Sequence, residues 1–224
     1  MCCVPELWVT HLGRREYTEA LALQERVRAA RQEDRIPDTL LLLEHDAVYT
    51  RGRRTAPHEL PADVGIPIVD VNRGGKLTYH GPGQLVGYAI MRTDDVIAFV
   101  RTMEQAIVVA LGAAGVEAHA RPEDGPDFTG VWVGDEKIAS IGVHVARGVT
   151  MHGFAVNVDN DMTPFEWVVP CGLPDVTMTR LENESIACFR KRAAYAFAEA
   201  HGLRQRLVSE ARLEAALQSE LIRG

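Results

Sequence analysis

The run Arg73-Gly74-Gly75-Lys76-Leu77-Thr78-Tyr79-His80-Gly81-Pro82-Gly83-Gln84-Leu85-Val86-Gly87-Tyr88 constrains this chain more than any other stretch. It packs glycines, a proline, an arginine and a histidine between two apolar runs, where a hairpin needs only a two-residue turn. Glycine removes the Cβ, admits positive φ and lets backbone N–H groups approach a ligand. Thr78, Tyr79 and His80 add polar tips at strand-like alternation. The segment reads as the wall of a pocket for something extended and reactive.

The 224 residues suffice for one substantial core, so a single domain over 1–224 is expected. A formal net charge of -7 argues against a nucleic-acid partner, although Arg51-Gly52-Arg53-Arg54 forms a local basic cluster. No apolar run is long enough to span a bilayer, and the N-terminus lacks the pattern of a secretory signal. Cys2, Cys3, Cys171 and Cys188 have neither zinc-site nor disulfide-framework spacing. A cytoplasmic protein, with no membrane partner and no metal, is the expectation.

Periodicity predicts strands at Glu6 to Thr10, Thr39 to Glu44, Ile66 to Val71 and Gln84 to Met91. Helices are predicted over Glu16 to Glu33, from an Asp94 or Asp95 cap to near Gly115, over Asn183 to His201, and from a Ser209 cap to near Ile222. Arg51 to Gly65 carries arginines and prolines without a period and reads as a loop. Val116 to Ala120 reads as a strand. Phe128 to Val133 and Lys137 to Ala146 read as a hairpin across Gly134-Asp135-Glu136, and Arg147-Gly148 turns the chain into a strand over Val149 to Val158. Helices alternating irregularly with hairpins indicate an α+β fold with a mixed sheet backed by helices, not a doubly wound parallel sheet.

Cys171 lies in Pro170-Cys171-Gly172-Leu173-Pro174, a rigid and uncrowded setting. A structural cysteine more often sits within an apolar element, as Cys188 does between Ala187 and Phe189. Cys171 is therefore either a nucleophile or a half-buried thiol without a role. A nucleophilic thiol needs activation, because its free pKa is about 8.5. His45, His80, His144 and His152 are possible partners, and so is Lys137, which opens a strand after a tight turn. A lysine at a hairpin is otherwise a solvated charge. Gly142, Gly153 and Ala155 are small residues on two strands joined by the Arg147-Gly148 turn. They either leave a groove for an extended apolar chain or allow close packing. Asn157 and Asp159 fit turn chemistry after the last of these strands.

The segment 73–88, together with Lys137-Ile138-Ala139-Ser140-Ile141-Gly142, His152-Gly153-Phe154-Ala155-Val156-Asn157 and Pro170-Cys171-Gly172, closely resembles the signature of the lipoyl(octanoyl) transferases, also called lipoate-protein ligase B. The blocks stand in family order between Arg73 and about Leu181. The resemblance implies a fold shared with the catalytic domains of biotin and lipoate protein ligases. It implies transfer of an octanoyl (or lipoyl) group from acyl carrier protein to a lysine of the lipoyl domains of 2-oxoacid dehydrogenase complexes or of the glycine cleavage H protein, with neither ATP nor metal. It makes Cys171 the acyl-thioester nucleophile and Lys137 its activating partner. The implied substrate contacts fall on Arg73, Gly74, Gly75, Lys76, Leu77, Thr78, Tyr79 and His80, on Ser140, Ile141 and Gly142, and on Gly153, Phe154 and Ala155. Leu77, Tyr79 and residues 153–155 are further expected to shape the end of the acyl groove, and the cluster Arg51, Arg53, Arg54 to dock the acidic partners.

Overall fold

The computed structural model describes residues 4–61, 65–168 and 176–218. Its largest element is an eight-stranded mixed sheet in the order β11-β1-β2-β6-β10-β9-β8-β7. β1 (Glu6–Arg15) lies parallel to both β2 (Asp38–His45) and β11 (Arg204–Leu207). The remaining pairs, through β6 (Gln84–Ile90), β10 (Val149–Asn157), β9 (Glu136–Ala146), β8 (Gly130–Val133) and β7 (His119–Ala120), are antiparallel. A second sheet has the order β4-β3-β5, made from β3 (Val48–Arg51), β4 (Ile68–Asp70) and β5 (Leu77–His80). The expected mixed sheet backed by helices is what the chain forms.

Both faces of the large sheet are buried, which is why Leu40-Leu41-Leu42-Leu43 carries no alternation. Leu41, Leu43, Val86 and Tyr88 face α1 (Tyr17–Gln32) and α5 (Glu210–Gln218), packing with Val27 and Leu213. Leu40, Leu42, Leu85 and Phe154 face α2 (Val96–Gly112) and α4 (Ile186–Ala200), packing with Met103, Ile107 and Phe197. The helices start where side chains accept their free backbone N–H groups: Glu16 for α1, Asp95 for α2, Ser185 for α4 and Ser209 for α5. The small sheet takes over from α1, where Tyr17 packs on Val48 and Val71.

Several sequence expectations change in detail. β1 runs on to Arg15 through an irregularity between His11 and Gly13, where Gly13 takes φ +67°. The expected loop from Arg51 begins instead in β3 and includes a short 3₁₀ turn, Pro57–Glu59. β11 has no apolar alternation and owes its conformation to pairing with β1. A short helix, α3 (Thr163–Glu166), follows β10. Cys188 is exposed on α4, not packed in its apolar face. Asn157 does no turn chemistry: it is buried, accepts from Gln84 Nε2 at 2.9 Å and donates to the Thr179 carbonyl at 2.9 Å. No helix among the described residues is long and apolar enough to cross a membrane.

Candidate active site

The Arg147-Gly148 turn, with φ of +49° and +72°, sets the register of β9 against β10 and brings Gly142 directly opposite Gly153. Above this pair lies a cavity of about 420 Å³, within the range of small-molecule sites. Its walls come from the loop Arg73-Gly74-Gly75-Lys76, from β5 and β6, from β9 and β10, and from the first turns of α2. Most of the lining is apolar, with Ile141, Val86, Ala155, Val96 and Ile97 among its residues. Ile97 is 70% exposed, so an apolar side chain stands at the cavity rim in water.

The glycines are there because backbone passes close by. A Cβ on Gly142 would meet the Gly74 carbonyl at 3.0 Å, and one on Gly153 would meet the Gly87 carbonyl at 2.2 Å. Gly74 N–H donates to the Val143 carbonyl at 3.0 Å, which fastens the glycine-rich loop over β9. The two readings of these small residues therefore hold together: close backbone packing forms the floor of an apolar slot.

Arg73 is buried and bound inward. Its guanidinium donates to the carbonyls of Gly74, Lys76 and Thr50 at 3.0, 2.8 and 2.8 Å, so it fixes the shape of its own loop. Lys76 pairs at 2.8 Å with Glu59, which is itself buried and caps the Pro57–Glu59 turn. Strand alternation splits β5: Thr78 and His80 line the cavity, whereas Leu77 and Tyr79 pack with Tyr49 and Phe165 in a separate cluster. Leu77 and Tyr79 are thus corrected from groove residues to core residues behind it. Phe154 turns its ring onto Gly87 and Phe197.

Lys137 is not a solvated hairpin charge. It is 1% exposed, lines the cavity, and its Nζ lies 5.3 Å from the centre of the Trp132 ring. Arg121 stacks on the same indole at 4.9 Å. Gly130 lies against the lysine stem, since a Cβ there would meet Lys137 Cε at 2.6 Å, and buried Glu104 accepts the Gly130 N–H at 2.9 Å. Thr177 O accepts from Lys137 N–H, and Thr179 N–H donates to Lys137 O, each at 2.9 Å. Cys171, with Pro170, Gly172, Leu173 and Pro174, lies outside the described residues.

Among the histidines considered, His80 and His152 reach the cavity. His45 is buried behind it: Nδ1 donates to the Arg15 carbonyl, leaving Nε2 to accept from Tyr88 Oη at 2.6 Å. His80 Nδ1 donates to Gln84 Oε1 at 2.7 Å. Burial, reinforced by neighbouring positive charge, pushes both His80 and His152 down to about 3, so these rings are neutral. Tyr17 stacks on His80 with ring centres 6.1 Å apart and completes this end of the cavity. Tyr17, Val96, Ile97 and Trp132 carried no motif signal; the three-dimensional approach of α1, α2 and β8 is what recruits them.

The basic cluster is divided. Arg51 pairs with Asp70, and Arg54 lies 2.8 Å from Asp127 without hydrogen-bond alignment. Arg54 and Asp127 both line the cavity mouth, while exposed Arg53 forms no ion pair among the described residues.

The fold thus carries, on its mixed sheet, an apolar slot with a buried amine in its wall. The family described as the lipoyl protein ligase A/B catalytic domain matches residues 16–198. The octanoyltransferase of Thermobifida fusca is 44% identical over 198 residues, covering 82% of each chain. That of Caldicellulosiruptor bescii is 48% identical over 186 residues, covering 78% of this chain and 80% of the relative. Among solved structures, a lipoate protein ligase from T. acidophilum with bound lipoic acid shares the fold at a TM-score of 0.76 and 20% identity, covering 99% of this chain and 95% of that one. A biotin protein ligase from Aquifex aeolicus matches at a TM-score of 0.51 and 9% identity, covering 87% of this chain and 68% of that one. The chain belongs to the lipoyl(octanoyl) transferase family and is a transferase of that type.

Proposed function

We propose that this enzyme moves an octanoyl group from acyl carrier protein to a lysine of a lipoyl domain through a thioester on Cys171. Octanoyl transfer in protein lipoylation fits the curated relatives over most of the chain. The observation that carries the residue assignment is the buried Lys137 amine in the wall of an apolar cavity, on a strand whose next residues, Ser140 to Gly142, continue along that wall. The sequence motif supplies the thiol. Thr177, six residues after Cys171, is hydrogen-bonded to Lys137, which supports a pairing of the two.

In this reading the Cys171 thiolate attacks the octanoyl carbonyl, and the carrier's phosphopantetheine thiol departs with a proton. The acceptor lysine then attacks the acyl-enzyme as a neutral amine, forming the amide and returning the thiolate. As the ammonium, Lys137 stabilises the thiolate and gives its proton to the leaving pantetheine thiol in the first step; the neutral amine so formed takes the acceptor's proton in the second. The donor is already a thioester, so neither ATP nor metal enters. Gly74, Gly75, Gly142, Gly153 and Ala155 flank the chain, with each buried CH₂ contributing about 0.8 kcal/mol. Such an enzyme works in the cytoplasm, and its catalytic domain spans the chain.

Intact mass after mixing with octanoyl carrier protein, without ATP, tests the reading. An added octanoyl mass that disappears in Cys171→Ser supports it. Labelling that persists in Cys171→Ser, or turnover that requires ATP, removes it.

A further inference from the structure

Glu104 is a carboxylate with only 1% of its surface exposed, and both of its oxygens are engaged. Oε1 accepts the Gly130 N–H at 2.9 Å, and Oε2 accepts from Arg101 Nη1 at 2.6 Å. Withdrawing a carboxylate from water is unfavourable, and an apolar contact would join α2 to β8 without it. What this carboxylate reaches is therefore informative. Arg101 stands in the cavity wall, and Gly130 lies against the stem of Lys137.

The seat of Lys137 is irregular. Ser140 and Gly142 line the cavity, and strict alternation along β9 would aim Ile138 there and Lys137 at the opposite face. The pairing of β8 with β9 slips between Val131 and Trp132: Val131 stands opposite Ala139, but Trp132 stands opposite Lys137. Ile138 is the extra residue of this bulge and packs into the core, which leaves Lys137 in the cavity wall. Gly130 stands opposite Ser140 with φ +140°. A Cβ on it would meet Lys137 Cε at 2.6 Å and Nζ at 3.3 Å. The Gly130 peptide cannot move toward β9 without displacing the lysine, and Glu104 ties that peptide to α2.

We propose that Glu104 is a positioning residue for the reaction: by holding the Gly130 peptide opposite the β9 bulge, it keeps the Lys137 amine where it serves both proton transfers. This rests on the acyl-transfer reading above. The property that matters is the reach of the acceptor oxygen to the Gly130 N–H, not the charge behind it.

Reach and charge separate in two conservative variants of the full-length enzyme. Glu104→Gln keeps an oxygen at the same reach and loses the charge, while Arg101 can turn to water. Glu104→Asp keeps the charge and falls short by about 1.5 Å, one carbon–carbon bond. Acyl-enzyme formation from octanoyl-pantetheine is followed by intact mass over a range of thioester concentrations. Glu104→Gln is expected within about threefold of the native maximal rate; Glu104→Asp should lose roughly ten- to a hundredfold, with the half-saturating concentration within about twofold. In a Lys137→Met background, Glu104→Asp should change the residual rate by less than about twofold, because no amine is left to misplace. A carboxylate needed only for folding would lower the acylated fraction and leave the rate per competent molecule unchanged. Native speed in Glu104→Asp, an equal loss in Glu104→Gln, or losses from Glu104→Asp and Lys137→Met that simply multiply overturns the assignment. The comparison of Asp with Gln decides even where Lys137→Met has no measurable rate. Failure of the native enzyme to take octanoyl at all would instead remove the acyl-transfer reading.

Discussion

The Nζ of Lys137 sits 5.3 Å from the centre of the Trp132 ring, and both side chains are sealed from solvent. The indole is held by its own N–H, which donates to the Phe128 carbonyl at 3.0 Å. A cation on a desolvated ring is worth about 0.5–2 kcal/mol. Trp132→Leu should therefore slow acyl-enzyme formation by roughly two- to thirtyfold, while Trp132→Phe, which keeps a π face, recovers much of the rate. Stopped reactions read by intact mass, with melting curves for each variant, check this.

Gly153→Ala is expected to be far more damaging than Gly148→Ala. The added methyl at 153 would meet Gly87 O at 2.2 Å and Ala89 N at 3.2 Å, both of them backbone in a central strand. At 148 nothing stands within 4 Å, and only the φ of +72° is unfavourable. The turn variant should lose about 1 kcal/mol, and the strand variant about 3 kcal/mol or more. Urea midpoints separate the two. A larger residue at 153 is for the same reason no probe of chain-length selectivity.

Stability should fall on acidification before the carboxylates titrate. His80 and His152 have folded values near 3, well below their unfolded value, because burial disfavours their charge. Between about pH 6.5 and the folded value the unfolded chain binds more protons, so stability is full above that window and declines as pH drops through it. Each such ring contributes a slope of about 1.4 kcal/mol per pH unit. The paired carboxylates of Glu6 and Asp34 are shifted downward by their arginines, so they act only at the acid end. Unfolding measured from pH 7 to pH 5 should show the slope, and His152→Phe should reduce it by about one proton.

Arg53 and Arg54 differ in their surroundings, and their variants should differ too. Arg54 spans the cavity mouth to Asp127, whereas Arg53 has no ion pair among the described residues. If this face docks the acidic donor, Arg53→Glu should raise the KM for octanoyl carrier protein and flatten its salt dependence. Turnover of a small octanoyl thioester should remain near native. An unchanged salt response would remove the docking assignment.

The sequence made the β9–β10 hairpin and the capped helices readable because a turn pair and single capping side chains encode them locally. It could not show that Leu77 and Tyr79 face away from Thr78 and His80, because both faces of β5 are buried and neither supplies contrast. Nor could it distinguish Lys137 from an ordinary hairpin lysine. That distinction arises from Trp132, Gly130 and the 177–179 segment closing around it. β11 was invisible for a similar reason: Arg204 to Leu207 is polar or exposed and becomes a strand only beside β1.

The backbone clasp of Thr177 and Thr179 on Lys137 makes tolerance of length changes unequal on the two sides of that lysine. A residue inserted at the Gly134-Asp135 turn can bulge outward and leave the clasp in step. One inserted just before Thr177 would shift the clasp against Lys137 and, in the mechanism proposed above, the spacing between the Cys171 thiol and the Lys137 amine. Such a variant would be a well-folded protein that fails only at chemistry.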